Sequence, residues 1–334
     1  MKSTILDDVA SDLAKPADVG TRIFHATSTT PLCKERFIPI QSEIPLYSEE
    51  NSQDILFADS GNAPIWETPS QTAHLCRVCA LSYTGPTRRA LRRQSFCILS
   101  TLYPNQIVLK SYGFDIGLLP ISRTDPELRH GNHLVSALAC IELGRLQAEL
   151  WVAREEALRL EPGAMLIVEG DFSKVHPFIF SSLESVIKTC AERGITLLGI
   201  SKTNTCHTDT GCSAGYALHL QGQPGMWAYA LNSTDGMHRV FAKLHPGARH
   251  IFLVSSPTPL KDGTLARIAK ASTDPAFLGY PYGLIAADQL ARVSATEQQA
   301  AQAILSTKAF AKNPTLPLSL RGSDAHMILD RMGY

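Results

Sequence analysis

Short apolar runs bounded by turn-forming residues dominate the sequence from residue 54 onward, and this pattern predicts β-strands. The first run spans residues 55–58 and is followed at once by Asp-Ser-Gly-Asn. Further runs lie at His74–Tyr83 and Ser95–Leu102, with glycine and proline in the connections between them. Three successive strands joined in this way indicate an antiparallel meander.

Helical spacing of apolar residues then extends over His133–Leu160, and Pro162-Gly163 ends it. A buried strand is predicted at Ala164–Val168, followed by a helix at Ser181–Arg193 and a strand at Ile195–Ile200. Because both of these strands are fully apolar, they predict a parallel pair with a right-handed crossover.

This order of elements predicts an α/β protein of the RNase H-like class, with a mixed five-stranded sheet flanked by helices. We expect residues 1–50 to form an N-terminal arm and residues 51–334 to form the main domain. The further elements that we predict are strands at Met226–Leu231, Arg239–Lys243 and His250–Ser255, and helices at Thr4–Leu13, Leu284–Lys308 and Ser323–Met332.

Composition adds few constraints on function. The 334 residues are 44% hydrophobic and 19% charged, as in an ordinary soluble globular protein. Lysine plus arginine and aspartate plus glutamate number 31 each, so the overall charge does not predict a polyanionic partner, although a local basic surface would suffice for one. The sequence shows neither a membrane-spanning run nor an apolar signal core at its start, so we expect a cytoplasmic protein.

The cysteines raise the question of a zinc site, since Cys76 and Cys79 have the spacing of a zinc knuckle and His74 precedes them. In a strand, however, Cys76 and Cys79 point to opposite faces. We therefore predict reduced, mostly buried thiols instead of zinc ligands.

Acidic residues follow two of the predicted strands. Asp59 comes directly after the first strand, and Glu169 and Asp171 come after the strand at Ala164–Val168. These strands are neighbours in an RNase H-like sheet, so their ends meet, and carboxylates held close together are best explained by a divalent metal. The alternative is that Asp59 and Asp171 only form turns. Whether Glu169, Asp171 or both bind the metal stays open at this point.

Two further elements add candidate residues. The helix before residue 160 offers Glu149, with Glu142 in reserve on nearly the same face, although a glutamate on an amphipathic helix is ordinarily a solvated residue. Lys202 follows the strand at Ile195–Ile200, where it would hold a scissile phosphate or pair with the acids.

The C-terminal run Gly279-Tyr280-Pro281-Tyr282-Gly283 predicts a rigid turn before a helix, and places Asp288 about two turns inside that helix. Aromatic packing alone would also explain this run. For contacts with nucleic acid, the sequence offers four arginines in the turn between the second and third strands and three aromatic residues for base stacking: Arg88, Arg89, Arg92, Arg93, Tyr280, Tyr282 and Trp66.

Four features of the sequence together resemble the NurA nucleases. Two are acids at strand ends, Asp59 and Glu169. The other two are the run Gly-Ile-Ser-Lys-Thr at 199–203 and the run Gly-Tyr-Pro-Tyr-Gly-Leu-Ile-Ala-Ala-Asp at 279–288. The resemblance extends from about residue 50 to the C-terminus. It implies an RNase H-like DNA nuclease that depends on Mn²⁺ or Mg²⁺, with 5′→3′ exonuclease and single-strand endonuclease activities. It also implies a homodimer, with the N-terminal arm contributing to dimer or partner contacts, that resects DNA ends with a HerA-type hexameric ATPase.

Carried over by residue, the resemblance makes Asp59, Glu149 and Glu169 metal ligands, with Asp171 as a further ligand. It gives Lys202, Tyr280 and Asp288 catalytic roles and makes Lys202 and Tyr282 DNA contacts. Two motifs depart from the family pattern, since the chain reads Asp-Ser-Gly at 59–61 and Glu-Gly-Asp at 169–171. These departures leave a second hypothesis, a catalytically silent scaffold that binds DNA or the motor without cutting.

Overall fold

The structure, a computed structural model, describes residues 7, 9–11, 19–20, 22–25, 37–40, 53–129, 131–172, 175–203, 205–231 and 236–316. The chain divides into two compact units. The first unit comprises residues 1–44 and 200–281, and the second comprises residues 45–199 and 282–334. The division into an arm and a domain at residue 50 stays a prediction.

Strands and helices are numbered here along the chain. The strands are β1 (Ile23–His25), β2 (Phe37–Pro39), β3 (Ile55–Glu67), β4 (Gln71–Thr84), β5 (Thr87–Leu102), β6 (Gln106–Tyr112), β7 (Ile121–Ser122), β8 (Met165–Glu169), β9 (Thr196–Ser201), β10 (Cys206–Thr208), β11 (Trp227–Leu231), β12 (His238–Lys243) and β13 (Phe252–Ser256). The helices are α1 (Ala137–Ala157), α2 (Pro177–Arg193), α3 (Ala214–Gln221), α4 (Asp262–Lys270), α5 (Tyr282–Ala291) and α6 (Ala295–Lys312).

The second unit contains a mixed sheet in the order β9–β8–β3–β4–β5–β6–β7. Strands β3 to β6 form the antiparallel meander, and β8 pairs in parallel with β3. The five predicted strands are β3, β4, β5, β8 and β9, and they stand in the predicted RNase H-like order. Strands β6 and β7 extend the sheet beyond the prediction.

Two strands are longer than predicted. The strand β3 does not end before Asp59 but continues to Glu67, because Ser60, Gly61 and Asn62 pair with β4. Likewise β5 begins at Thr87, so the four arginines predicted for a turn belong to a strand. In both places the pairing of neighbouring strands overrides the local preference for a turn.

The predicted helix Leu284–Lys308 is two helices, α5 and α6, because Ser294 starts a new helix. Its hydroxyl accepts a hydrogen bond from the Glu297 backbone N–H, and the Glu297 carboxylate accepts one from the Ser294 N–H, forming a capping box. The predicted helix Ser323–Met332 lies outside the described residues. So does most of Thr4–Leu13, of which residues 7 and 9–11 are described and helical.

The first unit has an antiparallel sheet in the order β2–β11–β12–β13 and a separate pair of β1 with β10. The three strands predicted after residue 225 are confirmed as β11, β12 and β13. Buried aromatic side chains fill the core beside this sheet, among them Trp227, Tyr229 and Phe241.

That the cysteines are reduced thiols and bind no zinc stays a prediction, whereas the burial expected for Cys76 and Cys79 is observed. Cys76 and Cys79 are buried within β4, and burial raises the pKa of the Cys76 thiol to about 12 and that of Cys79 to about 11. Among the helices of the described ranges, none is both long enough and apolar enough to cross a bilayer.

Candidate functional site

Asp59 and Glu169 are brought together by the parallel pairing of β3 with β8. The last register pair joins Ala58 to Val168, so the next residue on each strand is one of the two acids. Glu169 ends β8, and Asp59 remains within β3 with only 6% of its surface exposed. The sequence therefore places one buried and one half-buried carboxylate side by side.

A third carboxylate comes from α5, which lies along one face of β3. A Cβ on Gly283, at the start of α5, would fall 2.1 Å from the Phe57 ring, and a Cβ on Gly61 would fall 2.9 Å from the Ala291 carbonyl, at the end of α5. Because side chains alternate along a strand, Phe57, Asp59 and Gly61 share the face toward α5. Asp59 therefore lies beneath the middle of this helix.

Asp288 completes the cluster from that helix. Asp59, Glu169 and Asp288 each place a carboxylate oxygen within 4.8 Å of the other two. The Arg292 guanidinium donates to the Asp288 carboxylate at 2.8 Å, one turn further along α5. Like charges at this spacing repel, and a hard divalent cation with oxygen ligands relieves that repulsion. The donor set therefore fits Mg²⁺ or Mn²⁺.

Of the predicted metal ligands, Asp59 and Glu169 belong to this cluster, and Glu149 and Asp171 are not among its three residues. Asp288 was expected to be catalytic rather than a ligand. These roles stay predictions. The placement nonetheless shows which acids the fold assembles around a common point.

Glu149 approaches from α1, on the opposite face of β3. It is 4% exposed, and the Ser60 hydroxyl donates a hydrogen bond to its carboxylate. Burial raises the pKa of Glu149 to about 7; the Arg145 guanidinium and the Ser60 hydrogen bond oppose this shift, and the Glu169 charge adds to it. Glu149 is therefore a buried acid next to the cluster and electrostatically coupled to it.

Arg145 is a residue that sequence reasoning missed. Its guanidinium donates to the Glu142 carboxylate at 2.9 Å and to the Ser60 carbonyl at 3.0 Å, and lies 3.5 Å from the Glu149 carboxylate. Burial lowers the pKa of Arg145, but the two glutamates outweigh that effect and raise it. The spacing Glu-x-x-Arg-x-x-x-Glu, which puts all three side chains on one helical face, is the signal that could have revealed it.

The reserve candidate Glu142 is held by Arg145 and by the strand β3. Its carboxylate accepts hydrogen bonds from Arg145 and, at 2.7 Å, from the Asn62 side chain. Asn62 follows Ser60 on the same face of β3. Ser60 and Asn62, which suggested a turn in the sequence, thus anchor α1 to the sheet.

The raised pKa of Glu149 predicts a pH-dependent stability in metal-free protein. The folded chain holds this proton with a pKa of about 7 against 4.5 as the ordinary value, so the free energy of unfolding falls as pH rises between these values. The expected loss is roughly 3 kcal/mol. Urea denaturation in EDTA at pH 4.5 and 8 should show this loss in the wild type relative to Glu149→Gln. Equal pH dependence of the two proteins would contradict it.

The close contact of α5 with β3 predicts the effect of a methyl group at Gly283. In Gly283→Ala the new Cβ meets the Phe57 ring, which is fully buried and cannot withdraw, so we expect a loss of about 1–3 kcal/mol. Gly144→Ala is a matched control, since its Cβ meets the methyl ends of two flexible side chains, Ile98 at 2.9 Å and Leu118 at 3.3 Å. Denaturant midpoints measure both, and a loss at Gly144 as large as that at Gly283 would contradict this account.

Lys202 and Tyr280 belong to the first unit, where they contact each other. The Lys202 ammonium lies 5.7 Å from the centre of the Tyr280 ring, as in a cation–π pair. Tyr280 is buried, with 3% of its surface exposed, and packs against Phe252 and Phe277. Lys202 is exposed.

The other two aromatic candidates have structural contacts. Tyr282 donates a hydrogen bond from its hydroxyl to the Gly85 carbonyl in the β4–β5 turn, and its ring packs edge-on against Tyr83. Trp66 packs against Phe310 of α6. Both rings therefore connect helices of the C-terminal segment to the meander.

The four arginines lie in β5, where a β-bulge opposite Ser82 and Tyr83 of β4 interrupts the regular alternation of side chains. Arg92 donates to the Glu156 carboxylate at 3.0 Å and lies over the Trp151 ring, whereas Arg93 donates to the Leu290 carbonyl at 3.0 Å. Arg88 and Arg89 are exposed. The structure therefore directs Arg92 toward α1 and Arg93 toward α5, on opposite faces of the sheet.

Comparison with solved structures places this geometry on a known fold. The NurA nuclease from Sulfolobus solfataricus superposes with a TM-score of 0.53 at 13% identity, covering 94% of this chain and 98% of that one. The chain has the fold of the NurA nuclease. The RNase H-like fold predicted from the sequence is therefore confirmed. The catalytic domain of human Endonuclease V matches with a TM-score of 0.41 at 14% identity, covering 87% of this chain and 96% of that one.

Sequence comparisons add no relative to this NurA-like structure. Neither the protein-family models nor the curated proteins include a match to the chain. At 13% identity the likeness to NurA establishes the fold alone. Activity has to be argued from the site itself.

Proposed function

We propose that the chain is a divalent-metal-dependent DNA nuclease. The observation that carries this proposal is the convergence of Asp59, Glu169 and Asp288, whose carboxylate oxygens lie within 4.8 Å of one another on a NurA-like fold. A buried acid at the centre of a sheet is costly to maintain for stability alone. Carboxylate clusters of this kind are typical of sites that use metal ions to hydrolyse phosphodiesters.

Asp59, Glu169 and Asp288 would hold Mg²⁺ or Mn²⁺. A bound ion would supply a more acidic water and a positive charge at the scissile phosphate. The surrounding residues keep the three carboxylates in place: Arg292 orients Asp288, and the Ser60 backbone N–H donates to Asp59 at 2.7 Å. Glu149 is the candidate for a nearby proton carrier, because it is a buried acid beside the three carboxylates.

The chain also offers cations for the DNA backbone. We propose that the exposed side chains of Lys202, Arg88 and Arg89 contact phosphates, as basic residues do in most DNA complexes. Arg89 also donates to the Thr84 hydroxyl at 3.0 Å. Arg92 and Arg93 are held by the Glu156 carboxylate and the Leu290 carbonyl, so these two contribute chiefly to the local positive potential.

Cleavage of labelled single-stranded DNA by the purified wild type tests the activity. We expect cleavage with Mn²⁺ or Mg²⁺ and none in EDTA. Binding of DNA without cleavage under every metal condition would support the silent scaffold instead and refute the nuclease proposal. Labels at the 5′ and 3′ ends, compared with a circular single strand, distinguish 5′→3′ exonuclease from endonuclease activity.

We further propose that the chain forms a homodimer that resects DNA ends with a HerA-type hexameric ATPase. The support is the sequence resemblance to NurA nucleases together with the NurA-like fold. Light scattering would measure the mass of the chain alone and of its mixture with such an ATPase. A monomer that forms no larger complex and whose cleavage is unaffected by the ATPase would contradict this assembly.

A further inference from the structure

A surface cavity in the first unit has a lining of aromatic and basic side chains. Its volume is about 380 Å³, and two loops form it, one joining β12 to β13 and the other following α4. The first loop contributes Arg249 and His250, and the second contributes Pro275 and Phe277. These residues belong to a different unit from the carboxylate cluster.

The aromatic part of the cavity is a stacked pair. The rings of His250 and Phe277 are nearly parallel, with an angle of 9° between them and 5.4 Å between their centres. Phe277 is 42% exposed, although its ring has contacts with neighbouring rings. Phe252 and Tyr280 support it from the core, with ring centres 6.2 and 5.9 Å away. Both rings line the cavity and are exposed, so the pair presents aromatic surface to solvent there.

The loops that carry this pair are packed closely against each other. Gly279 has a φ of 89°, and a Cβ at this position would lie 2.6 Å from the Ala248 Cβ. Only glycine accommodates both that backbone conformation and that approach. Gly279 begins the Gly-Tyr-Pro-Tyr run, so this glycine of the motif allows the two loops of the cavity to pack together.

The basic part of the cavity is Arg249. Its side chain is exposed, and within the described ranges it has neither an ion pair nor a hydrogen-bond partner. The Asp274 carboxylate of the neighbouring loop accepts the Ala276 N–H at 2.8 Å and so caps its own turn. The guanidinium is therefore available to an external anion beside the aromatic surface.

We propose that this cavity binds a nucleobase of single-stranded DNA, stacked on the Phe277–His250 pair, with Arg249 contacting an adjacent phosphate. A planar ring next to a negative charge matches this pairing of aromatic surface and guanidinium. Bases in a duplex are already stacked on one another, so the site favours unpaired strands. The choice of DNA as ligand rests on the proposed nuclease function, whereas the binding itself needs no cleavage.

Fluorescence anisotropy with a labelled oligothymidylate in EDTA tests the proposal separately from catalysis. We expect Phe277→Ala to weaken binding about 5- to 150-fold, the range for loss of one stacked base. Arg249→Gln should reduce the slope of log affinity against log salt by about 0.7, the value for one phosphate of a single strand, and Phe277→Ala should leave that slope unchanged. An abasic strand should bind both Phe277→Ala and wild type equally.

Matched controls come from the same unit. Tyr216→Ala removes another exposed aromatic ring, 51% exposed on α3, and Lys261→Gln removes another exposed positive charge. Both should bind like the wild type. Three results would overturn the proposal. Phe277→Ala could bind single strands as tightly as the wild type, or Tyr216→Ala could lose as much affinity as Phe277→Ala. Phe277→Ala could also lose as much affinity for the abasic strand as for the intact one. Arg249 is exposed, so Arg249→Gln should fold normally. Its salt dependence therefore tests the site even if Phe277→Ala unfolds. A protein that binds single strands here but never cuts them would refute only the nuclease function.

Discussion

Asp59→Asn should reduce metal-dependent DNA cleavage by more than about a hundredfold. Changes to groups that only support a metal ligand already cost about 10- to 100-fold, so loss of a central ligand costs more. Asp59 is the buried member of the cluster and lies within β3, with a carboxylate oxygen within 4.8 Å of one of Asp288 on α5. Initial rates on labelled single-stranded DNA with saturating Mn²⁺ measure the effect.

The same substitution should not damage the fold. Asparagine keeps an oxygen for the Ser60 N–H and removes one of three repelling charges, so metal-free Asp59→Asn should be at least as stable as wild type. Asp115→Asn, at an exposed turn, is the matched control and should cut DNA at the wild-type rate. Unchanged cleavage by Asp59→Asn would remove Asp59 from the site.

Arg145→Met should destabilise the protein by about 3–5 kcal/mol, the usual loss when one partner of a buried ion pair is removed. Methionine retains the apolar stem but leaves Glu149 buried without its nearby cation, and leaves the Ser60 carbonyl without its donor. Urea denaturation at pH 8, where Glu149 would be ionised, measures the change in the free energy of unfolding.

Two further variants separate this charge effect from a general loss of packing. Adding Glu149→Gln to Arg145→Met should recover part of the lost stability, because the buried negative charge is gone. Arg159→Met should cost less than about 1 kcal/mol, since the Arg159 side chain is 68% exposed in its pair with Glu156. Equal stability of Arg145→Met and wild type would show that Glu149 needs no internal cation.

The order of strands was predictable because apolar runs and turn residues are local signals. The runs at 55–58 and 164–168 identified two buried strands, and the acids that follow them, Asp59 and Glu169, lie in the cluster. Their adjacency followed from the RNase H-like order. These inferences needed only the sequence of elements and the rule that parallel strands end at one edge.

What could not be predicted depends on contacts between distant parts of the chain. Ser60, Gly61 and Asn62 favour a turn locally, yet β4 pairs with them and carries the strand on to Glu67. Asp288 was singled out by its motif, but its position over Asp59 follows from the close packing of α5 at Gly283 and Gly61. Arg145 stood unnoticed between two glutamates, because a charged helical face is ordinarily solvated.

The measurement that tests the central claim most directly is a Mn²⁺ titration by calorimetry, comparing Asp288→Asn with Asp171→Asn. Both substitutions remove one charge, and both acids were candidates from the sequence, but the structure groups only Asp288 with Asp59 and Glu169. We predict that Asp288→Asn weakens Mn²⁺ binding by about tenfold or more and slows cleavage, whereas Asp171→Asn leaves both unchanged. Loss of binding in Asp171→Asn with wild-type binding in Asp288→Asn would contradict the account.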